Sequence, residues 1–158
     1  MSYKVDGSKL VDQAFLGIPY KLGGRSRQGA DCVGVAMLYL KSHGLDYSGD
    51  DINFIERATL EGWYERNPKR FVDKVLGVAK PVPFAEVRKF DLLLFFSPDG
   101  ISKFPTGMGI MVDPRHFLGC VRPGEESRVE MLNVIWKSIL WGALRLHRVV
   151  DEGLSQWA

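Results

Sequence analysis

The candidate nucleophile of this sequence is a cysteine, in the run Asp31-Cys32-Val33-Gly34 at the beginning of a predicted apolar helix. A thiol on the first turn of a helix faces the positive end of the helix dipole and backbone N–H groups that lack helical partners. That setting favours the thiolate, the reactive form of cysteine. The alternative is that Cys32 is a small buried apolar residue. Close packing behind the cysteine at Gly34, and Tyr20 on a preceding glycine loop, favour a nucleophile.

The elements that would position this cysteine begin with helices. The first predicted helix is short and amphipathic, with Ser8 as its cap and Gly17 as its end. A basic, glycine-rich loop follows it. The next helix ends at Gly44 and is apolar on nearly every face, so we expect it to be buried. Two further helices are predicted, separated at Asn67-Pro68. The predicted helical segments are 8–16, 31–43 and two within 52–76.

After Pro83 the sequence changes to strands. A continuous apolar run over 91–96, bounded by turn residues, indicates a core strand. The turn 113–116 joins two of the remaining strands as a hairpin. The other predicted strands are 108–112, 117–121, 128–132 and 143–150. Helices followed by strands predict an α+β fold, with N-terminal helices packed on a roughly five-stranded antiparallel sheet.

Size and composition bound the class of protein. The 158 residues suffice for one domain with one core, spanning 1–158. Lys and Arg number 21 against 19 Asp and Glu, so the net charge of +2 requires neither nucleic acid nor an acidic membrane as partner. No segment approaches the ~20 apolar residues of a membrane span, and we expect no secretory signal. Two cysteines, Cys32 and Cys120, fit a reducing cytoplasm.

Several segments, in the same order, resemble the NlpC-type cell-wall peptidases, papain-like cysteine hydrolases that cut peptidoglycan stem peptides. The last of these segments is similar to the closing strand of the subgroup encoded in phage tail-gene clusters. The resemblance implies one NlpC-like domain with a helical insert over 48–82 and a C-terminal tail over 151–158. It also implies that Cys32 is the nucleophile position and that Tyr20 and Asp31 neighbour the substrate. The segments are Gly17-Ile-Pro-Tyr-Lys-Leu-Gly-Gly24, Gly29-Ala-Asp-Cys-Val-Gly34, Phe90-Asp-Leu-Leu-Leu-Phe-Phe96, Met108-Gly-Ile-Met-Val112, Phe117-Leu-Gly-Cys-Val121 and Trp141-Gly-Ala-Leu-Arg-Leu146.

The sequence departs from this family at its histidines. The resemblance places the general base at position 107 and the residue that orients it twelve positions later, and these are Gly107 and Gly119. General acid–base catalysis contributes roughly 10²–10⁴-fold to rate, and members of a catalytic set act as a unit. A glycine side chain neither accepts nor returns the thiol proton. We therefore expect a degenerate active site on a retained scaffold.

Three histidines are available as substitutes for the missing base. His43 is expected at the far end of the buried helix, roughly 16 Å from Cys32. His116 falls in the predicted hairpin turn. His147 falls in the predicted last strand and is the best substitute of the three. A structural or surface role is the expectation for each.

Other features admit two interpretations. The basic loop residues Lys21, Arg25 and Arg27 either bind an anion or an acidic neighbour, or are solvated, which is the default expectation. Trp157 in the tail docks on a partner or packs back on its own domain. Two cysteines and no histidine pair at ligand spacing argue against a metal site, and we expect no cofactor.

The favoured interpretation is a phage tail structural protein, of the tail tip or of tail assembly, built on a degenerate peptidase fold. Its expected partners are other tail proteins, and its expected location is the virion or the host cytoplasm during assembly. The first alternative is an active cysteine endopeptidase that opens peptidoglycan during infection. The second is a module that binds peptidoglycan peptides without cutting them.

Overall fold

The structure, a computed structural model, describes residues 5–48, 69–97, 100, 103–119 and 124–151. Of the predicted helical insert over 48–82, residues 49–68 therefore lie outside the described residues. The same holds for Cys120 and for the tail beyond Asp151.

A six-stranded antiparallel sheet forms the centre of the molecule. Its strands lie in the order β3-β8-β4-β5-β6-β7, so the last strand in sequence is paired on both sides. The predicted α+β class and antiparallel sheet are confirmed, with one more strand than expected. The added strand is β3, at an edge, where Pro81 can be accommodated. The strands are β3 (Ala79–Val82), β4 (Leu92–Phe95), β5 (Gly107–Met111), β6 (His116–Gly119), β7 (Arg128–Met131) and β8 (Leu140–Leu146).

The buried helix predicted after the glycine loop is α1 (Cys32–Ser42), which packs on β5 and β6. Most of its residues are buried, as the all-round apolar pattern predicts. The chain leaves the helix at Gly44, whose φ of +89° is disfavoured for residues that carry a Cβ. A second helix, α2 (Lys69–Leu76), lies within the predicted helical segment and leads into β3.

The first predicted helix is wrong. Residues 8–16 contain two 3₁₀ turns, Gly7–Lys9 and Gln13–Phe15, with Asp6 and Asp12 as their caps rather than Ser8. The Asp6 carboxylate accepts the Ser8 N–H at 3.2 Å, and the Asp12 carboxylate accepts the Ala14 N–H at 2.8 Å. Each aspartate starts its own short turn, and these local hydrogen bonds compete with a continuous helix.

The last predicted strand is displaced. Strand β8 begins at Leu140 and ends at Leu146, and residues His147–Asp151 form the short helix α4. The backbone N–H of His147 donates to the Val78 carbonyl, where the chain turns away from the sheet. The loop 18–29 also contains a small hairpin, β1 (Arg25–Ser26) with β2 (Gly29–Ala30), which the sequence did not indicate.

The two faces of the sheet are covered differently. One face packs against α1, α2 and the N-terminal turns and forms the larger core. The other is covered in part by α3 (Val134–Ser138), a helix absent from the prediction, whose Trp136 ring lies 5.3 Å from Phe95 and 5.0 Å from Phe117. A buried ion pair joins β8 to the residue before β4, with the Arg145 guanidinium donating to both Asp91 oxygens at 2.8 and 2.9 Å.

Candidate functional site

Helix α1 begins in a closely packed region of the fold. Its cap, Asp31, is buried, and Oδ1 of its carboxylate accepts the Gly34 N–H at 2.8 Å. A Cβ on Gly34 would overlap the Gly24 carbonyl oxygen and lie 2.9 Å from the Cβ of Ala30. Only glycine therefore lets the β1–β2 hairpin approach the helix, and the predicted close packing behind the cysteine is confirmed.

The thiol of Cys32 lies at this crowded start, against the beginning of β5. The backbone N–H groups of Met108 and Val33 donate to its sulfur, which favours the thiolate. Burial opposes them and is the larger effect, and the neighbouring Asp31 charge adds to it, so the pKa of Cys32 is raised to about 12. The prediction that the helix start makes Cys32 a ready thiolate is wrong, because two N–H donors do not offset the lost solvation.

The carboxylate of Asp31 is fully engaged within the protein. Besides the Gly34 N–H, it accepts the Gly23 N–H at 2.9 Å on Oδ2 and the Arg25 guanidinium at 2.8 Å on Oδ1. The same guanidinium nitrogen of Arg25 lies 2.8 Å from the Gly24 carbonyl oxygen. The interpretation of Arg25 as a solvated loop cation is wrong. It holds the hairpin against the helix cap.

Tyr20 reaches the same region through its backbone. The Ala30 N–H donates to the Pro19 carbonyl and the Lys21 N–H to the Ala30 carbonyl, so Tyr20 lies beside the residue that precedes Asp31. Its ring is half-buried against the larger core, and its own N–H donates to Glu125 at 3.0 Å. The backbone of Tyr20 thus lies beside that of Ala30, which directly precedes Asp31 and Cys32.

Gly107 in β5 and Gly119 in β6 have different surroundings. Gly107 directly precedes Met108, whose N–H contacts the thiol, and a Cβ at Gly107 would meet only the Cβ and carbonyl oxygen of Phe95 at 3.9–4.0 Å. Gly119 ends β6 and is buried between Gly109 and Arg128. A Cβ at position 107 would therefore have room, since no contact closer than 3.9 Å restricts it.

No protein-family model matches the chain, and no curated protein matches it. The solved structures that share its fold include three with TM-scores of 0.57, 0.52 and 0.56. The chain has the NlpC/P60 fold.

The first of these neighbours is an NlpC/P60 family protein from Bacillus cereus ATCC 10987, 21% identical over 91% of this chain and 41% of that one. The second is the NlpC/p60 domain of the peptidoglycan hydrolase SagA, 23% identical over 90% of this chain and 100% of that domain. The third, from Staphylococcus aureus subsp. aureus Mu50, is described as similar to lipoprotein of the NLP/P60 family, 19% identical over 92% and 43%. This chain therefore spans about two fifths of the length of two of the three neighbours.

Within the NlpC/P60 fold, the three histidines lie at the end of the sheet away from the thiol. Met108 is level with Leu94 and Gly142 across β4 and β8. His147 is five residues beyond Gly142, about 16 Å along the strand. The carbonyl of His116 accepts the N–H of Val112, four residues beyond Met108 and about 13 Å away.

Two of the three histidines also have local structural roles. His116 Nδ1 pairs with the Asp113 carboxylate at 2.9 Å, which fixes the turn into β6. His43 follows the last turn of α1 and packs on Tyr39 and Phe90, with ring centroids 4.7 and 5.0 Å apart. His147 is exposed at the start of α4, so its predicted place in the last strand is wrong.

Among the described residues, no group of three or more His, Cys, Asp or Glu side chains could hold a metal ion. Nor does any helix there combine the length and apolar character needed to cross a membrane.

Proposed function

We propose that the chain is a phage tail structural protein, of the tail tip or of tail assembly, built on the NlpC/P60 fold without working peptidase chemistry. The observation that carries the loss of chemistry is the state of Cys32. Its thiol has backbone N–H groups as partners, its pKa is raised to about 12, and the three histidines lie at the other end of the sheet. A thiol without a base has no acceptor for its proton and nothing to protonate a leaving amine.

Gly107 and Gly119 take the places of the family's histidines in this proposal. Gly107 adjoins the residue that contacts the thiol, which is where a base would have to stand. Asp31 supports the same conclusion, since Arg25, Gly23 and Gly34 use the carboxylate that a substrate amine would need. The fold accommodates the two glycines and the engaged Asp31 carboxylate, but peptidase chemistry then lacks its general base and its contact to the substrate amine.

The tail assignment rests on the similarity of Trp141–Leu146 to the closing strand of the tail-gene subgroup. These residues lie in β8, in the interior of the sheet. The partners in this proposal are other tail proteins, which the chain contacts at the tail tip or in the host cytoplasm during assembly.

Two measurements test the proposal, and the first concerns chemistry. Purified peptidoglycan is incubated with the protein, with Cys32→Ala and with Gly107→His, and released peptides are followed by mass spectrometry. We expect no release by the natural chain. Gly107→His should increase the rate at which iodoacetamide alkylates Cys32 at least tenfold, because an imidazolium beside the sulfur lowers its pKa. Release that Cys32→Ala abolishes would establish the endopeptidase instead.

The second measurement concerns assembly. A phage that lacks the chain is complemented with the natural sequence or with Cys32→Ala, and plaques and tail morphology are scored. Tail defects without the chain, restored equally by both sequences, are the expected result. Normal tails without the chain would remove the structural role. Binding of muropeptides without cleavage, together with normal tails, would favour the binding module.

A further inference from the structure

A groove separate from Cys32 opens beside the C-terminal half of α1. Its volume is about 620 Å³, and it lies between the two N-terminal 3₁₀ turns, the β1–β2 turn and the turn before β4. The residues used below are Lys9, Arg27 and Lys89 with the rings of Phe15 and Tyr39, and we call this the basic groove. Neither Cys32 nor Asp31 lines it.

The basic groove carries an excess of positive charge, with three cations against the one carboxylate of its lining, Asp12. Among the residues that the structure describes, no ion pair involves Lys9, Arg27 or Lys89. The one carboxylate of the lining, Asp12, caps a 3₁₀ turn through the Ala14 N–H. Nearby Asp6 is likewise held, by the N–H and hydroxyl of Ser8.

Two of the three cations of the groove stand over aromatic rings. The Arg27 guanidinium carbon lies 5.8 Å from the centre of the Phe15 ring, and Lys89 Nζ lies 5.2 Å from that of Phe90. Cations held in this way keep their donors available to a ligand, since a ring face accepts no strong hydrogen bond. The groove therefore combines anion-binding groups with apolar contact area.

The turn that carries Lys89 is held in an unusual conformation. Phe90 has φ of 75°, the left-handed region that a bulky residue rarely adopts. Its buried ring packs on Tyr39 at 6.0 Å and His43 at 5.0 Å, and its N–H donates to Met111 at 2.8 Å. Strained backbone persists where its surroundings over-determine it, and such positions concentrate at binding sites. Here it fixes Lys89 at the rim of the groove.

We propose that the basic groove binds an acidic, extended peptide segment of a partner protein. The inference rests on the proposed assembly function and names the chemistry of one contact. Carboxylates of the segment pair with Lys9, Arg27 and Lys89, while an apolar side chain between them contacts Phe15 and Tyr39. Three cations from separate elements suit several carboxylates along a chain. The net charge of +2 does not require nucleic acid as the partner.

Fluorescence anisotropy of a labelled peptide, Glu-Glu-Phe-Glu-Glu with a blocked C-terminus, tests the proposal on the full chain. We expect binding that weakens as salt rises from about 20 to about 200 mM, because the contacts are ionic. The variant Arg27→Glu with Lys89→Glu should bind at least tenfold more weakly. Lys80→Glu with Lys137→Glu is the matched control, since both lysines are exposed and neither lines the groove.

Equal affinity of the two double variants, or equal binding of Gln-Gln-Phe-Gln-Gln, would overturn the proposal. Lys9→Glu, a single change at an exposed residue, replaces the groove variant if urea unfolding shows that the double variant is destabilised. The phage complementation separates this inference from the proposed function. Normal tails from the groove variant, with defects in the phage that lacks the chain, would remove the groove contact alone. Normal tails in both would remove the assembly function, whatever the peptide binds.

Discussion

The two ends of helix α1 use their polar groups in opposite ways. At the N-terminal end, Asp31 accepts three donors and the Cys32 sulfur accepts two N–H groups, all from within the protein. At the C-terminal end, Lys89 and its neighbours line an open groove without carboxylate partners among the described residues. At the N-terminal end, Asp31 and Cys32 therefore already have partners within the protein. At the C-terminal end, the cations of the groove can still pair with a ligand.

This difference shows that residue type alone does not make a side chain reactive or able to bind. Its burial and its partners within the protein determine whether it is available. A thiol at a helix start is activated only if the dipole and N–H donors outweigh burial. At Cys32 burial is larger. In the basic groove, the cations remain at the surface, where desolvation costs little and a ligand can reach them.

The largest expected effect is on the reactivity of Cys32. A pKa raised from 9.0 to about 12 leaves about 1000-fold less thiolate at neutral pH. In a Cys120→Ala background, iodoacetamide should alkylate the folded protein about 1000-fold more slowly than the protein unfolded in urea. An alkylation rate that levels off below pH 9 would contradict a partly buried thiol that retains its proton.

The same pKa has a signed effect on stability. Above about pH 9 the unfolded chain loses the thiol proton while the folded chain keeps it, so the folded state binds more protons. The free energy of unfolding should therefore fall as pH rises from about 9 towards 12. Cys32→Ala should flatten this part of the pH profile.

Next in size is the crowding at the N-terminal end. Gly34→Ala places a methyl group against the Gly24 carbonyl and the Ala30 side chain, and overpacking of this kind costs about 3 kcal/mol. Gly142→Ala is the control, since a Cβ there has nothing within 4 Å. Urea unfolding should show a large loss for Gly34→Ala and little change for Gly142→Ala. Similar losses of stability in the two variants would show that the β1–β2 hairpin moves to accommodate the added methyl group.

The smallest effect belongs to the C-terminal end. Gly44 has open space around its Cβ position, so Gly44→Ala meets only the backbone cost of a positive φ, about 1 kcal/mol. The measurement is the same unfolding midpoint, compared with Gly34→Ala. A loss at Gly44 as large as that at Gly34 would erase the contrast between a packed end and an open one.

Patterns with a strong local cause were predictable. The apolar run 31–43 produced a buried helix because every face needed cover, and Gly44 ended it because of its backbone conformation. The run 91–96 became the interior strand β4 for the same reason. Tyr20, Asp31 and Cys32 could be grouped because they are close in sequence.

What failed depended on partners distant in sequence or on competing local bonds. The pKa of Cys32 is set mainly by burial, which no local pattern reports, and one N–H donor to its sulfur belongs to Met108, seventy-six residues away. Asp6 and Asp12 divided the first helix by capping separate turns. The basic groove unites Lys9, Arg27 and Lys89 from three elements, and only the fold brings them together.

Strand β8 determines when the sheet can close during synthesis. It lies between β3 and β4 although it follows every other strand in sequence, and Arg145 within it is the partner of the buried Asp91. On the ribosome, the chain cannot close its sheet until residue 146 has left the exit tunnel. Until then β3 and β4 each lack a neighbour, and their open edges are exposed to other chains. The sheet therefore closes late, and the closure of long loops slows folding.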